Sequence, residues 1–588
     1  IKQYYQCSML QNLLKAPKID SKTQLNRFLT KFQRKHHFSS TSSLPEWLVF
    51  SLMDHSLSEF HLHQIHSHLL IRNLHNRPSL ITKLINKSSS VSSIHYARKL
   101  FDAIPHPDAF LYNSLIKCYC THFLPEDAIR IYTQMHVSRI APDAFTFPCI
   151  LKAASLPVGR CIHAHVFRYG FHSDLFVQNG ILSLYTRFGE MPKAENVFSK
   201  LCSKSVVSWT LMINANSRNN RPIEALKLFS EMRRMVEADS IALVSVLKAL
   251  SDVNDVVNSE ATHGLVIKLG LEKDSDLNIS FTSTYAKQGN LLAARGFFEK
   301  METRSVTAWN AIISGYANNG RPQEALALFR KMLEKNVEPD SVTLTSCCLA
   351  CAREGSLEVA TWMDDVVAKS RYNNDVVVNT SLIDMYAKCG DLGSARSVFD
   401  RVEPKDTVLW SAMIMGLGLH GRWKESGDLL EEMVGAGVEP NGVTFLGVLT
   451  ACKNAGRVED GWGLWKRMEE YGVEPKEEHY ACVVDLMARG GYVERAWEVV
   501  ESMEEEASAS VWGSLLSGCE MHGHVKIGEY AARKLFALDC RCVGQYVQLS
   551  NLYAASHMWA HVSKLRNEMK TKSLQKHLAF SLGKAHHL

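Results

Sequence analysis

Cysteine, histidine and acid side chains are the usual carriers of chemistry, so their spacing is the first question. Cys348-Leu-Ala-Cys351 has the gap of a metal-binding knuckle, but no second ligand pair accompanies it. His163-Ala-His165 and His522-Gly-His524 each bring two imidazoles together without an acidic partner to orient them as ligands or bases. No Gly-x-x-x-x-Gly-Lys-Ser/Thr loop is present to cradle a phosphate, and no Gly-x-Ser-x-Gly elbow to raise a nucleophile. No metal or cofactor is therefore expected. The fifteen cysteines are odd in number and scattered. Cys149, Cys351, Cys389, Cys452, Cys482 and Cys519 fall inside apolar helical patterns, as buried reduced thiols do.

What recurs is a set of structural landmarks. Trp209, Trp309, Trp410 and Trp512 lie 100, 101 and 102 residues apart. Tyr185-Thr-Arg-Phe-Gly returns as Tyr285-Ala-Lys-Gln-Gly and Tyr386-Ala-Lys-Cys-Gly, and Glu224-Ala-Leu-Lys-Leu-Phe229 as Glu324-Ala-Leu-Ala-Leu-Phe329. The long period divides into segments of 35, 35 and 31 residues, 306–340, 341–375 and 376–406. Each segment reads as two helices. In 306–340, Trp309, Ile312, Ile313 and Tyr316 make one apolar face, Asn319-Gly320 ends it, and Pro322 opens the next helix. Ala325, Leu326, Leu328, Phe329 and Met332 make the second face, and Val337-Glu-Pro339-Asp340 closes the repeat. One such hairpin cannot bury both faces, but stacked neighbours can. The expected fold is all-α, a right-handed α-solenoid of helix-turn-helix repeats.

A chain of 588 residues is too long for one hydrophobic core, and this architecture needs none. No uninterrupted apolar stretch is long enough for a membrane span. The net charge of +5 is unevenly placed. Residues 1–44 hold eight Lys/Arg and only Asp20, which leaves 58 basic and 60 acidic residues, net −2, in the remainder. Bulk positive charge cannot then drive binding to a polyanion, and local side-chain readout must discriminate.

These repeats resemble the pentatricopeptide repeat family in its plant form, where P, L and S repeats alternate. S-type units would be 78–108, 175–205, 275–305 and 376–406. P-type units would be 109–143, 206–239, 306–340 and 407–441, and L-type units 144–174, 240–274, 341–375 and 442–476. A terminal S-like unit would follow at 477–508 and a degenerate one would occupy 47–77. The 31/35/35 alternation and the Pro142-Asp143 and Pro339-Asp340 unit ends separate the array from tetratricopeptide repeats. Beyond it, Val511-Trp-Gly-Ser-Leu-Leu516 and Tyr546-Val-Gln-Leu-Ser-Asn-Leu-Tyr553 resemble the two E motifs of organellar RNA-editing factors, over 509–576. Phe580-Ser-Leu-Gly-Lys-Ala-His-His587 resembles the start of the following segment, giving a truncated stub at 577–588.

The resemblance implies single-stranded RNA as a partner, read one base per repeat by the fifth and last residues of each unit. Carried over, Thr82 with Asp108, Thr210 with Asp239 and Thr380 with Asp406 would read guanine. Asn113 with Asp143 and Asn310 with Asp340 would read uracil, Asn179 with Ser205 cytosine, and Ser411 with Asn441 adenine. Pro148, Val244, Thr345 and Leu446 of the L-type units stay unassigned. The implied site is G-U-n-C-G-n-n-U-n-G-A-n-n, 5′ to 3′. Phe110, Phe176, Val207, Val377 and Val408 would sandwich bases, whereas Asp276 and Thr307 would not, and Asp276, Ile279 and the terminal Ser305 mark 275–305 as a silent spacer. The short unit 144–174, four residues below the usual length, would tighten the superhelix locally or leave a base unread.

Many relatives carry a C-terminal zinc deaminase with His-x-Glu and Pro-Cys-x-x-Cys, and no His-x-Glu occurs here. The implied role is a specificity factor for cytidine-to-uridine editing, not an enzyme. A deaminase-bearing partner, with accessory editing factors, would dock on the E region through exposed Trp512, Tyr546 and Trp559. A role in RNA stability, splicing or translation is the alternative. The basic, Ser-rich, acid-poor segment 1–44 reads as a transit peptide, to the mitochondrion or alternatively the chloroplast, or else as a basic arm that touches nucleic acid.

Overall fold

A helix begins cleanly where a short polar side chain satisfies its first amide groups. In a computed structural model of the chain, Asp108, Ser205, Asp239, Ser305, Asp340, Asp375, Asp406 and Asn441 each accept the amide of the third residue of the helix that follows. These are the places where the first helix of a repeat starts. The structure describes residues 78–90, 94–503, 506–538 and 543–571, with 62, 63, 66, 67, 69 and 70. They form 30 α-helices and a short 3-10 turn at Phe171–Ser173, with no strand among the described residues. Segment 1–44, read above as a transit peptide, nearly all of 47–77, read as a degenerate repeat, and 577–588, read as a stub, lie outside them.

The repeat 306–340 shows the local logic. Helix Val306–Asn318 buries Trp309, Ile312, Ile313 and Tyr316, and helix Pro322–Glu334 buries Ala325, Leu326, Leu328, Phe329 and Met332. Between them Gly320 takes φ +70°, a conformation cheap only for a residue without Cβ. Pro322 sits in the first turn, where its missing N–H costs nothing.

Assembly follows one rule within each compact body: a first helix packs on its own second helix and on the first helix of the next repeat. The helices divide into two compact bodies, Ile1–Leu271 and Glu272–Leu588. In the former, first helices run from Pro78–Ser90 through Ala109–Thr121, Thr146–Ala153, Leu175–Arg187 and Val206–Arg218 to Ser240–Asp252. In the latter, they run from Ser275–Lys287 and Val306–Asn318 through Gly442–Ala455 and Glu477–Arg489 to Ala509–His522 and Val543–Ala555. The fold is an α-solenoid. Small residues set the closest approaches: a Cβ built on Gly315 would lie 2.5 Å from Ala286 Cβ, and one on Gly416 would lie 2.9 Å from Ala387 Cβ.

Repeat 144–174 is short because its first helix is short, eight residues over Thr146–Ala153. Arg187 of the next repeat covers the truncated end, donating to the carbonyls of Leu151 (3.1 Å), Ala154 (2.6 Å) and Lys152. Past the array, Ala509–His522 with Val525–Leu538, and Val543–Ala555 with Trp559–Thr571, form two further hairpins. No helix of the described residues is long and apolar enough to cross a membrane.

Candidate nucleic-acid interface

Within each body, the second, third and fifth residues of successive repeats form three columns. The second is apolar and outward in both the units where sequence pointed to it and the L-type units where it did not. Phe110, Phe145, Phe176, Val207, Ile241, Val342, Val377, Val408 and Val443 are 53–76 % exposed. An apolar side chain that water surrounds at the same register in repeat after repeat is not serving a core. Asp276 and Thr307 interrupt the column. Counting the register from each repeat start would have found Phe145, Ile241, Val342 and Val443 in the sequence.

The fifth residues lie behind that column, and their polar atoms meet the repeat-end caps. Asn113 Nδ2 donates to both carboxylate oxygens of Asp143 (2.9 and 3.0 Å), and Asn310 Nδ2 to both of Asp340 (2.9 Å each). Thr210 Oγ1 reaches Asp239 at 3.4 Å, and Asn179 Nδ2 reaches Ser205 Oγ at 3.4 Å. Ser411 meets Asn441 only through Thr444, whose hydroxyl stands 2.7 Å from Ser411 Oγ and 3.1 Å from Asn441 Oδ1. Thr380 and Asp406 are not joined: Thr380 donates to the Val376 carbonyl (2.7 Å) while Asp406 caps the amide of Leu409 (2.9 Å). Thr82 is buried in Pro78–Ser90, and Asp108 caps Leu111. Burial pushes the Asp340 carboxyl up, but the amide of Thr343, the side chains of Asn310 and Thr343 and the amide of Val342 outweigh it, leaving it below its ordinary value.

Sequence reasoning missed the third column. Thr146 donates to Asn113 Oδ1 (2.7 Å), Ser208 to Asn179 Oδ1 (2.7 Å) and Thr343 to Asn310 Oδ1 (2.5 Å), each reaching back one repeat. Their signature is the capping-box position three residues past each cap.

Two of the three aromatic residues expected to form an exposed docking face are buried. Trp512 is 7 % exposed and packs beside Trp497 and Tyr530, and Tyr546 is fully buried, its ring stacked on Phe536 at 4.0 Å. The reason is register. Both occupy the fourth position of a first helix, the core position that Trp209, Trp309 and Trp410 fill in the array. Trp559, at the start of a second helix, is 61 % exposed.

The remaining motifs resolve as structure. Cys348 and Cys351 are buried, and burial pushes the Cys351 thiol up to about 12. Cys149 and Cys389 are half-buried, while Cys452, Cys482 and Cys519 are buried. His163 Nδ1 pairs with the Tyr185 hydroxyl (2.9 Å), His165 with that of Tyr132 (3.1 Å), and His522 Nε2 with the Arg489 carbonyl (2.9 Å). Among the described residues no three His, Cys, Asp or Glu side chains converge as metal ligands.

The repeat register matches known families. Residues 107–155 and 304–353 match the PPR repeat family, 207–235, 380–403 and 408–438 the PPR repeat, and 428–488 the pentatricopeptide repeat domain. Over 538 residues the chain is 45 % identical to pentatricopeptide repeat-containing protein At3g12770 of Arabidopsis thaliana, covering 90 % of this chain and 78 % of that protein. The chain belongs to the pentatricopeptide repeat family. As a plant-type member it also carries an E motif, matched over 522–581. Two further Arabidopsis thaliana pentatricopeptide repeat-containing proteins are At4g19191, mitochondrial (33 % identical, 87 % of this chain, 80 % of that one), and At1g11290, chloroplastic (34 %, 84 % and 62 %). Among solved structures, the pentatricopeptide repeat protein PPR10 from maize superposes with TM-score 0.55 at 13 % identity, over 97 % of this chain and 93 % of that one. PPR10 in complex with an 18-nt psaJ RNA element gives 0.51 at 15 %, over 98 % and 92 %. These two likenesses establish the shared solenoid fold.

Proposed function

We propose that this chain binds single-stranded organelle RNA sequence-specifically and selects a cytidine for conversion to uridine. In this reading a deaminase-bearing partner supplies the chemistry and docks on the E region. The observation that carries it is the pairing of two columns: exposed apolar side chains at the second position, and short polar groups at the fifth, of which Asn113, Asn179, Thr210 and Asn310 are hydrogen-bonded to the repeat-end cap. An apolar column spaced by one repeat can sandwich unstacked bases, and the polar column then meets their Watson–Crick edges. That PPR10, which shares the fold, is found in complex with an 18-nt psaJ RNA element supports RNA as the ligand.

Seven fifth-and-last pairs would read the bases named above, four in the N-terminal body and three in the C-terminal one. Each correct base is worth about 1–3 kcal/mol by analogy with base readout elsewhere. The E motif favours editing over a purely binding role, and segment 1–44 would direct the protein to the mitochondrion, or to the chloroplast. The test is organelle RNA sequencing in a plant lacking the protein, scoring every cytidine-to-uridine site. Loss of one or a few sites preceded by G-U-n-C-G-n-n-U-n-G-A is the expected result. Unchanged editing, with a transcript altered in abundance or splicing, overturns it in favour of an RNA-processing role without editing.

A further inference from the structure

The third residue of each repeat varies with the fifth residue of the repeat before it. Where that fifth residue is Asn or Ser, the next third residue carries a hydroxyl: Asn113 with Thr146, Asn179 with Ser208, Asn310 with Thr343, Ser411 with Thr444. Where it is Thr, the next third residue is apolar: Thr82 with Leu111, Thr210 with Ala242, Thr345 with Val378, Thr380 with Leu409. Helix capping does not account for this division. Asp108, Asp239 and Asp406 cap their helices just as well over an apolar third residue.

The chemistry of the fifth residue accounts for the asparagines, whereas Ser411, like Thr380, also donates to the carbonyl four residues back. A threonine hydroxyl can satisfy itself on the carbonyl four residues back, as Thr380 does. A carboxamide cannot settle its own orientation, because a 180° flip exchanges donor and acceptor at little covalent cost. That exchange is also what distinguishes the pyrimidines. Uracil offers an N–H at N3 beside a carbonyl, and cytosine offers a bare N3 beside an amino group. The flip is the same at Asn113, Asn179 and Asn310, with Nδ2 toward the repeat-end residue and Oδ1 toward the third residue of the next repeat, so the choice of pyrimidine falls to the repeat-end residue, while an amide left free to flip would complement either edge.

Two kinds of fixing are present. At Asn113 and Asn310 the repeat-end residue is a carboxylate, which only accepts, so Nδ2 must face it whatever the third residue is. At Asn179 the repeat-end residue is Ser205, whose hydroxyl either donates or accepts, and which stands off at 3.4 Å. The short contact there is from Ser208, 2.7 Å from Asn179 Oδ1. Ser208 Oγ also accepts the Ser205 amide (3.3 Å), which leaves its proton free to go to Asn179.

We infer that the third residue of a repeat is a specificity-determining positioning residue for the base read by the preceding repeat. It acts through the amide flip, decisively at Ser208 and in a supporting way at Thr146 and Thr343. This rests on the base-reading proposal above. The experiment uses the full chain and RNAs of roughly 15 nucleotides that carry the proposed site, with cytosine or uracil opposite repeat 175–205 or opposite repeat 306–340. Wild type should distinguish the two pyrimidines at each position by roughly tenfold. Ser208→Ala should bring the ratio opposite 175–205 to within about twofold and leave the ratio opposite 306–340 intact, which also reports that the chain is folded. Ser208→Thr, which keeps the hydroxyl, should retain both ratios. Thr343→Val should lose less than Ser208→Ala does, since Asp340 still holds its amide. If Ser208→Ala keeps the wild-type ratio, the inference is overturned while base reading stands. If wild type itself shows no pyrimidine preference at either position, base reading fails and the inference with it.

Discussion

At the residue scale, the repeat-end position serves two purposes, and this limits what its sequence can tell. Asp174, Asp274 and Asp375 close L-type repeats whose fifth residues are Pro148, Val244 and Thr345, yet they cap the next helix as Asp340 does. An aspartate there is explained by capping before any base is considered. The fifth residue is the clearer signal, because an Asn in mid-helix has no helical reason to be there. Asp340→Ala should therefore cost about 1–2 kcal/mol at pH 7 through the lost cap alone. The folded-state pKa of Asp340 lies below its ordinary value, so its contribution is fully present above the unfolded value near pH 4. It is lost as pH falls through the lower folded value. The gap in Tm between wild type and Asp340→Ala should shrink steadily below about pH 4; a gap that stays constant down to pH 2.5 would mean the carboxylate charge plays no part.

At the element scale, helix existence was legible and helix contacts were not. The 3.6-residue spacing, the Asn-Gly breaks and the Pro openings located both helices of 306–340. Trp512 shows where that stops. Its periodicity placed it on a helix, but only the register relative to the helix start says that the fourth residue faces inward. Glycines make the same point in energetic terms. Gly315 and Gly296 both sit in helices, yet a Cβ at Gly315 collides with Ala286 whereas one at Gly296 meets nothing within 4 Å. Gly315→Ala should destabilise by about 1–3 kcal/mol by forcing two first helices apart. Gly296→Ala should stabilise by about 0.4–1 kcal/mol through helix propensity and a less flexible unfolded chain. Urea unfolding followed by circular dichroism distinguishes the signs, and equal shifts would refute the packing argument. Arg187→Ala should cost about 1–2 kcal/mol, since its charged hydrogen bonds close the truncated helix Thr146–Ala153. Hydrogen exchange at Leu151–Ser155 is the local readout, and unchanged protection there would rule the role out.

At the scale of the whole molecule, each repeat touches only its neighbours, so stability is close to a sum of local terms and binding to a sum of bases. Length then supplies selectivity that no single repeat has. Charge sets the balance between selectivity and simple adhesion. Residues 45–588 carry a net −2, and many of their arginines are engaged in ion pairs, among them Arg160 with Glu190, Arg221 with Glu195 and Arg467 with Glu431. Few phosphates can then be neutralised, and for a single strand each neutralised phosphate contributes about −0.7 to the slope of log K against log salt. Binding of residues 45–588 to the proposed RNA should give a slope shallower than about −4, with most affinity lost on base substitution and little on added salt. Anisotropy titrations from 50 to 300 mM salt would measure it. A chain that includes residues 1–44 separates the two readings of that segment. A basic arm on RNA would steepen the slope without changing base preference, whereas a targeting segment would leave both unchanged. A slope steeper than about −4 for residues 45–588 would mean that backbone charge dominates, and that the fifth-position side chains contribute too little to select a single site.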